Sequence, residues 1–112
     1  MTATADQPLT LETKADLEDV VSSHERVLVE FYTDGCGICQ SLEPVLDGVA
    51  RASDVVVGTM NPREDPQLID DYDVQSVPML LLFVDGELTD TRADGFLGVD
   101  EVLEFVEEDG SS

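Results

Sequence analysis

An α/β fold is predicted, with elements in the order β-α-β-α-β-α-β-β-α. Three observations carry it. Short apolar runs alternate with segments whose apolar residues recur at helical spacing. Two of the runs, 27–32 and 79–84, are nearly continuous in apolar residues, as expected of strands covered on both faces. Asp85-Gly86 between two strand candidates is a two-residue hairpin signal. Long crossovers imply parallel strands, and the hairpin adds an antiparallel pair.

Leu9 to Leu11 opens the series as a short strand. Thr13 is placed to cap a helix that presents Leu17, Val20 and Val21. Strand 27–32 follows, and then a helix to about residue 51 with Leu42, Val45, Leu46 and Val49 on one face. Val55-Val56-Val57 lies in a third strand, roughly 54–60. Asp65 or Pro66 starts a short helix to about Tyr72. Pro78 opens the apolar strand to Val84, and the return strand runs from Glu87 to about Arg92. Val99, Val102, Leu103 and Val106 form the stripe of a last helix. Met60, Met79, Phe31, Phe83 and Phe105 are expected in the core. Residues 1–8 read as a loose arm, 9–106 as the domain and 107–112 as a frayed acidic tail.

The length, 112 residues, suits one domain, and 42% hydrophobic residues suffice for a packed core. The charge is extreme: 26 Asp plus Glu against 5 Lys plus Arg, a net charge of −21. Such a surface repels phosphates, so neither nucleic acid nor an anionic membrane is an expected partner. The acid is spread along the chain and Lys14 is the sole lysine. This pattern is read as adaptation to a very salty cytoplasm in a salt-loving microbe, in preference to an ordinary acidic domain that meets basic partners. No stretch is long enough to span a membrane. Met1 to Asp6 has neither a basic nor an apolar region, so no signal peptide is expected. Two cysteines do not make a secreted disulfide framework, and a reducing cytoplasm is the expected location.

Those two cysteines carry the chemistry. Cys36-Gly37-Ile38-Cys39 stands at a strand-to-helix junction, the sequence form of a dithiol/disulfide site. Cys36 at the helix N-terminus is the expected nucleophile, because unpaired N–H groups and the helix dipole favour a thiolate there. Cys39, one turn inside, is placed to attack the mixed disulfide formed at Cys36. Gly37 lets the backbone turn tightly into the helix. A zinc site needs about four ligands, and only His24 adds a soft donor; His24 reads as a helix C-terminal residue. An iron–sulfur cluster shared between two chains has no other support. Asp65, Asp70, Asp71 and Asp73 lack the pattern of a calcium loop and read as solvated surface. Glu30 sits in an apolar run with no wet side, where burial would keep it partly protonated and able to take the Cys39 proton.

Four features in order resemble the thioredoxin family, from about Leu9 to Val106. They are Val29-Glu30-Phe31-Tyr32 leading into the Cys36/Cys39 motif, Pro44 five residues after the second cysteine, Ser76-Val77-Pro78, and Gly95 ahead of the last helix. The resemblance implies a central mixed β-sheet flanked by four helices. It implies a cis bond before Pro78, facing the dithiol. It also implies a client surface that includes Gly35, Gly37, Ile38, Val77, Pro78 and Gly95. The chain departs from the family in four ways. Gly35 replaces the usual Trp, Ile38 the usual Pro, and Glu30 the frequent Asp, while Gly58 or Thr59 stands where many members keep a lysine.

The leading expectation is a thiol–disulfide oxidoreductase that reduces protein disulfides through Cys36 and Cys39. It would need no cofactor beyond that pair and no metal. Its partners would be disulfide-containing clients and a reductase, and it would act as a monomer. Two alternatives stand beside it: an isomerase- or glutaredoxin-like redox protein, and a non-catalytic binding module on the same fold.

Overall fold

The computed structural model describes residues 7–111, with side chains as far as Glu107. Residues 1–6 of the expected arm, and Ser112, lie outside the described residues. The strands are β1 (Leu9–Leu11), β2 (Arg26–Phe31), β3 (Val56–Met60), β4 (Met79–Val84) and β5 (Glu87–Arg92). The helices are α1 (Lys14–Ser23), α2 (Gly37–Ala52), α3 (Gln67–Asp71) and α4 (Val99–Ser111). One sheet holds all five strands in the order β1-β3-β2-β4-β5. β1 and β2 run parallel to β3, while β4 is antiparallel to both β2 and β5. The mixed sheet with four helices agrees with the expected architecture.

The parallel reading of the crossovers fails at one place. α2 has 16 residues and spans about 24 Å, enough to carry the chain back along the sheet and start β3 parallel to β2. Between β3 and β4 the helical pieces are a 3-10 turn, Pro62–Glu64, and the five-residue α3. These are too short to return the chain, since a strand of this size extends about 17–20 Å. β4 therefore starts at the end of the sheet where β3 stopped: Phe31 is opposite Met60 on one side and Met79 on the other.

Local signals explain the element ends. Thr13 and Asp16 form a reciprocal capping box on α1, and His24 is its C-cap. Asp85 and Gly86 both take positive φ, 53° and 86°, as a type I′ hairpin requires. The 3-10 turn was not anticipated; Asn61 caps it through Oδ1, 3.0 Å from the Arg63 N–H, with Pro62 at its first position. β2 sits one residue earlier than expected. β3 starts at Val56 because the Val55 N–H is held by Ser53 Oγ in the preceding turn. α4 passes the Val106 boundary and continues through Ser111.

Alternation in the strands separates two cores. Leu28, Val57, Leu80 and Leu82 pack with the apolar faces of α2 and α4. Val27, Val29, Phe31, Val56, Met60, Leu81 and Phe83 pack with Leu17 and Val21 of α1 and Leu68 of α3. The two-residue period puts Glu30 on the same face as Leu28, toward α2. Gly58 is on the opposite face. A Cβ there would lie 2.9 Å from Leu11 Cδ1, so a side chain at 58 would displace β1 packing.

Candidate active site

The dithiol sits where β2 gives way to α2. Cys36 is the N-cap of α2, and its Sγ accepts a hydrogen bond of 3.1 Å from the Cys39 N–H. This is the capping geometry usually supplied by an oxygen, here formed by sulfur. Cys36 and Cys39 are joined as a disulfide, with 5.3 Å between Cα atoms. Cys36 is half-buried and Cys39 is 3% exposed, so one sulfur faces outward and the other inward. An amide donor and the helix dipole at Cys36 stabilise negative charge there when the bond is reduced.

The surrounding positions gather at one end of the sheet. Gly35 is exposed with φ +81°, a conformation that L side chains rarely adopt, and it turns the chain into α2. Gly37 and Ile38 form the exposed first turn of the helix, with Ile38 48% exposed. The Val77–Pro78 bond is cis, as the resemblance implied, and Pro78 is buried just before β4. Arg92 is opposite Leu80, itself opposite Glu30, so β5 also ends on this side. Gly95 follows three residues later with φ +84°. Its neighbour Phe96, 55% exposed, was not singled out from the sequence.

Behind the dithiol lies a cleft of about 620 Å³. Cys39 and Glu43 enter it from α2, Glu30 and Tyr32 from β2 and its continuation, and Thr59 from β3. It is ample for water and opens to solvent. Glu30 is 1% exposed, and its Oε2 has no hydrogen-bond partner within the protein. Burial, and secondarily the Glu43 charge, push the Glu30 carboxyl up to about 7. Burial raises the Tyr32 phenol too, with further upward pushes from Asp34, Glu30, Glu64 and Glu43. The acids thus converge on this side of the dithiol.

The β2–β3 register settles which residue occupies the family's lysine position. Thr59 is opposite Glu30 and lines the cleft, whereas Gly58 is opposite Val29 and faces α1 and α3. Glu43 escaped the sequence reading, although its spacing of four from Cys39 puts the two on one helix face. Among the described residues, no group of three or more His, Cys, Asp or Glu side chains is placed to hold a metal ion.

The thioredoxin family pattern matches residues 8–108. A thioredoxin of Mycoplasmoides gallisepticum is 30% identical over 94 residues, covering 83% of this chain and 93% of that protein. A thioredoxin of Mycobacterium tuberculosis is 39% identical over 71 residues, covering 62% of this chain and 61% of that one. A solved single-residue variant of the thioredoxin from Halobacterium salinarum NRC-1 superposes with a TM-score of 0.91 at 36% identity, covering 100% and 98% of the two chains. With its paired cysteines at the head of α2, this chain belongs to the thioredoxin family and is a thioredoxin-type protein-disulfide oxidoreductase.

Proposed function

We propose that the protein reduces client disulfides with Cys36 as attacking thiolate, Cys39 as resolving thiol and Glu30 as proton acceptor. The observation that carries this reading is the sulfur-capped helix start, with an outward Cys36 backed by a buried Cys39. The Cys36 thiolate attacks a client disulfide; a mixed disulfide forms and one client thiolate leaves. Cys39 then gives its proton, through cleft water, to the Glu30 carboxylate and attacks Cys36 Sγ. The Cys36–Cys39 bond forms, the mixed disulfide breaks, and the second client thiolate leaves. Two electrons pass to the client, and its thiolates take up protons from solvent.

The client segment lies across Gly35, Gly37, Ile38, Val77, Pro78 and Gly95. The exposure of Ile38 and Phe96 supports an apolar docking patch there. The working cofactor is the dithiol alone, with no metal, and a reductase recharges it. The chain acts as a monomer in a salt-rich cytoplasm, away from nucleic acid and membranes. The charge of −21 and the Halobacterium salinarum relative support that setting. Among the described residues no helix is long and apolar enough to cross a membrane.

Cys36→Ser is expected to abolish insulin disulfide reduction, and Cys39→Ser to trap a mixed disulfide visible by mass spectrometry. Iodoacetamide should label Cys36 first in the reduced protein. Faster labelling of Cys39 would reverse the assignment.

A further inference from the structure

Resting on Glu30 as proton acceptor, we propose that Glu43 is a positioning residue for this reaction: from the mouth of the cleft its negative charge strengthens Glu30 as acceptor of the Cys39 proton and makes that transfer sensitive to salt.

The geometry is that of two carboxylates on one cleft. Glu30 is buried at the inner end, with Oε2 unpartnered, and it lines a cleft that Cys39 also lines. Glu43 lines the same cleft but is exposed, one helical turn beyond Cys39 on α2. A proton delivered to Glu30 must leave before the next cycle, and the solvent-open cleft gives it a route to bulk water. Glu43 is a carboxylate at its entrance that lacks any ion pair among the described residues. The proton moves from Cys39 to Glu30, where the nearby Glu43 charge favours its capture, and leaves afterwards through cleft water to solvent. Glu30 is regenerated as the carboxylate, and no further reactant is needed.

Other groups around Glu30 do not fill this role. On β3 Thr59 is uncharged, and on β4 Leu80 is apolar. On α2 Asp47 is held by Arg51, 2.7 Å away. Asp34, after β2, also lines the cleft, but its charge, like that of Glu64 in the 3-10 turn, bears on Tyr32, whereas Glu43 bears on Glu30 itself. Glu43 is the neighbouring charge that raises Glu30 beyond the effect of burial. Because Glu43 is exposed, salt screens its part and leaves the burial part intact.

The test is a carbon-13 NMR titration of Glu30 in the reduced protein, in dilute buffer and in 2 M KCl, for the parent, Glu43→Gln and Glu43→Asp. Glu43 is on the surface, so both variants should fold. Glu43→Gln is expected to lower the Glu30 midpoint by roughly half a pH unit or more in dilute buffer. It should also remove most of the midpoint's salt dependence and lower kcat with KM unchanged. Glu43→Asp should retain the parent's behaviour in large part. Identical midpoints and salt dependence in parent and Glu43→Gln would overturn the proposal. A parent Glu30 that titrates in the ordinary carboxyl range would overturn the underlying assignment as well, so the two failures are separable.

Discussion

β2 and β5 are both six-residue strands antiparallel to β4, yet their environments are opposites. β2 is buried from Val27 through Phe31, including Glu30. β5 is exposed from Glu87 through Thr91, at the edge of the sheet. Acids occur on both, and the same side chain does different work in each place. On β5, Glu87 and Asp90 face water, and they also blunt an edge that could pair with another chain. On β2, Glu30 is buried at the inner end of the cleft and becomes a proton site near neutrality. In a chain this acidic, composition cannot separate the two kinds of carboxylate; position in the sheet does.

The largest expected contrast is in packing. Phe31→Ala on β2 empties a fully buried site whose ring meets Tyr72 edge-on at 5.9 Å. It should cost about 3–5 kcal/mol. Leu88→Ala on β5, at a side chain 42% exposed, should cost about 0.5 kcal/mol or less. Urea unfolding followed by circular dichroism measures both, since the chain has no Trp for fluorescence. Similar costs at the two positions would erase the distinction between the strands.

The next contrast concerns charge. Glu30 titrates near 7 in the fold, against 4.5 for an ordinary glutamate. The folded state keeps a proton that the unfolded chain releases between those values. Stability attributable to Glu30 therefore falls as pH rises from about 4.5 to about 7, and is level above that. The loss is on the order of 3 kcal/mol. Glu30→Leu should be more stable than the parent at pH 8 by up to that amount, with the advantage gone below pH 4. Its turnover near neutrality should fall by about 10². Asp90→Leu should stay within about 0.5 kcal/mol of the parent at either pH. If Glu30→Leu is destabilised at pH 8, the parent carboxylate has a partner and is not a desolvated acid.

Much of this was legible because local chemistry and pattern agreed. The cysteine pair fell between an apolar strand and an amphipathic helix, Thr13 and Asp85-Gly86 had unambiguous cap and turn chemistry, and the apolar run around Glu30 pointed to its burial. What was not legible depended on apposition. Whether Gly58 or Thr59 faces Glu30 turns on a one-residue register, which the apolar run Val55-Val56-Val57 leaves unspecified. The antiparallel β4 turned on how far a five-residue helix can carry the chain. The cleft assembles β2, β3 and α2, and no single segment announces it; the sequence brought Glu30 to Cys39, while Glu43 was readable only from its spacing of four from Cys39. The Asn61-Pro62 cap was readable but was overshadowed by the strand pattern just before it.

The smallest expected effect is that of salt, and it separates the two strands most finely. Exposed acids repel one another across a surface of net charge −21, which weakens the compact state at low ionic strength. At about 1 M salt the Debye length is about 3 Å, so this diffuse repulsion is largely screened. The melting temperature should rise between dilute buffer and 2 M KCl. Neutralising β5 with Glu87→Gln plus Asp90→Asn should remove a few tenths of a kcal/mol of that rise, as expected for surface charges. Glu30 should respond differently. The larger part of its upward shift comes from burial, which ions in bulk water do not relieve. Its midpoint should fall in 2 M KCl only by the part due to Glu43, and should stay above the ordinary carboxyl range. Calorimetry for the variants and carboxyl NMR for Glu30 give both quantities from one salt series. A Glu30 that relaxed to ordinary behaviour in salt would make β2's acid a repelled surface charge like those of β5. A melting temperature flat across the series would remove surface repulsion as the consequence of the acidity.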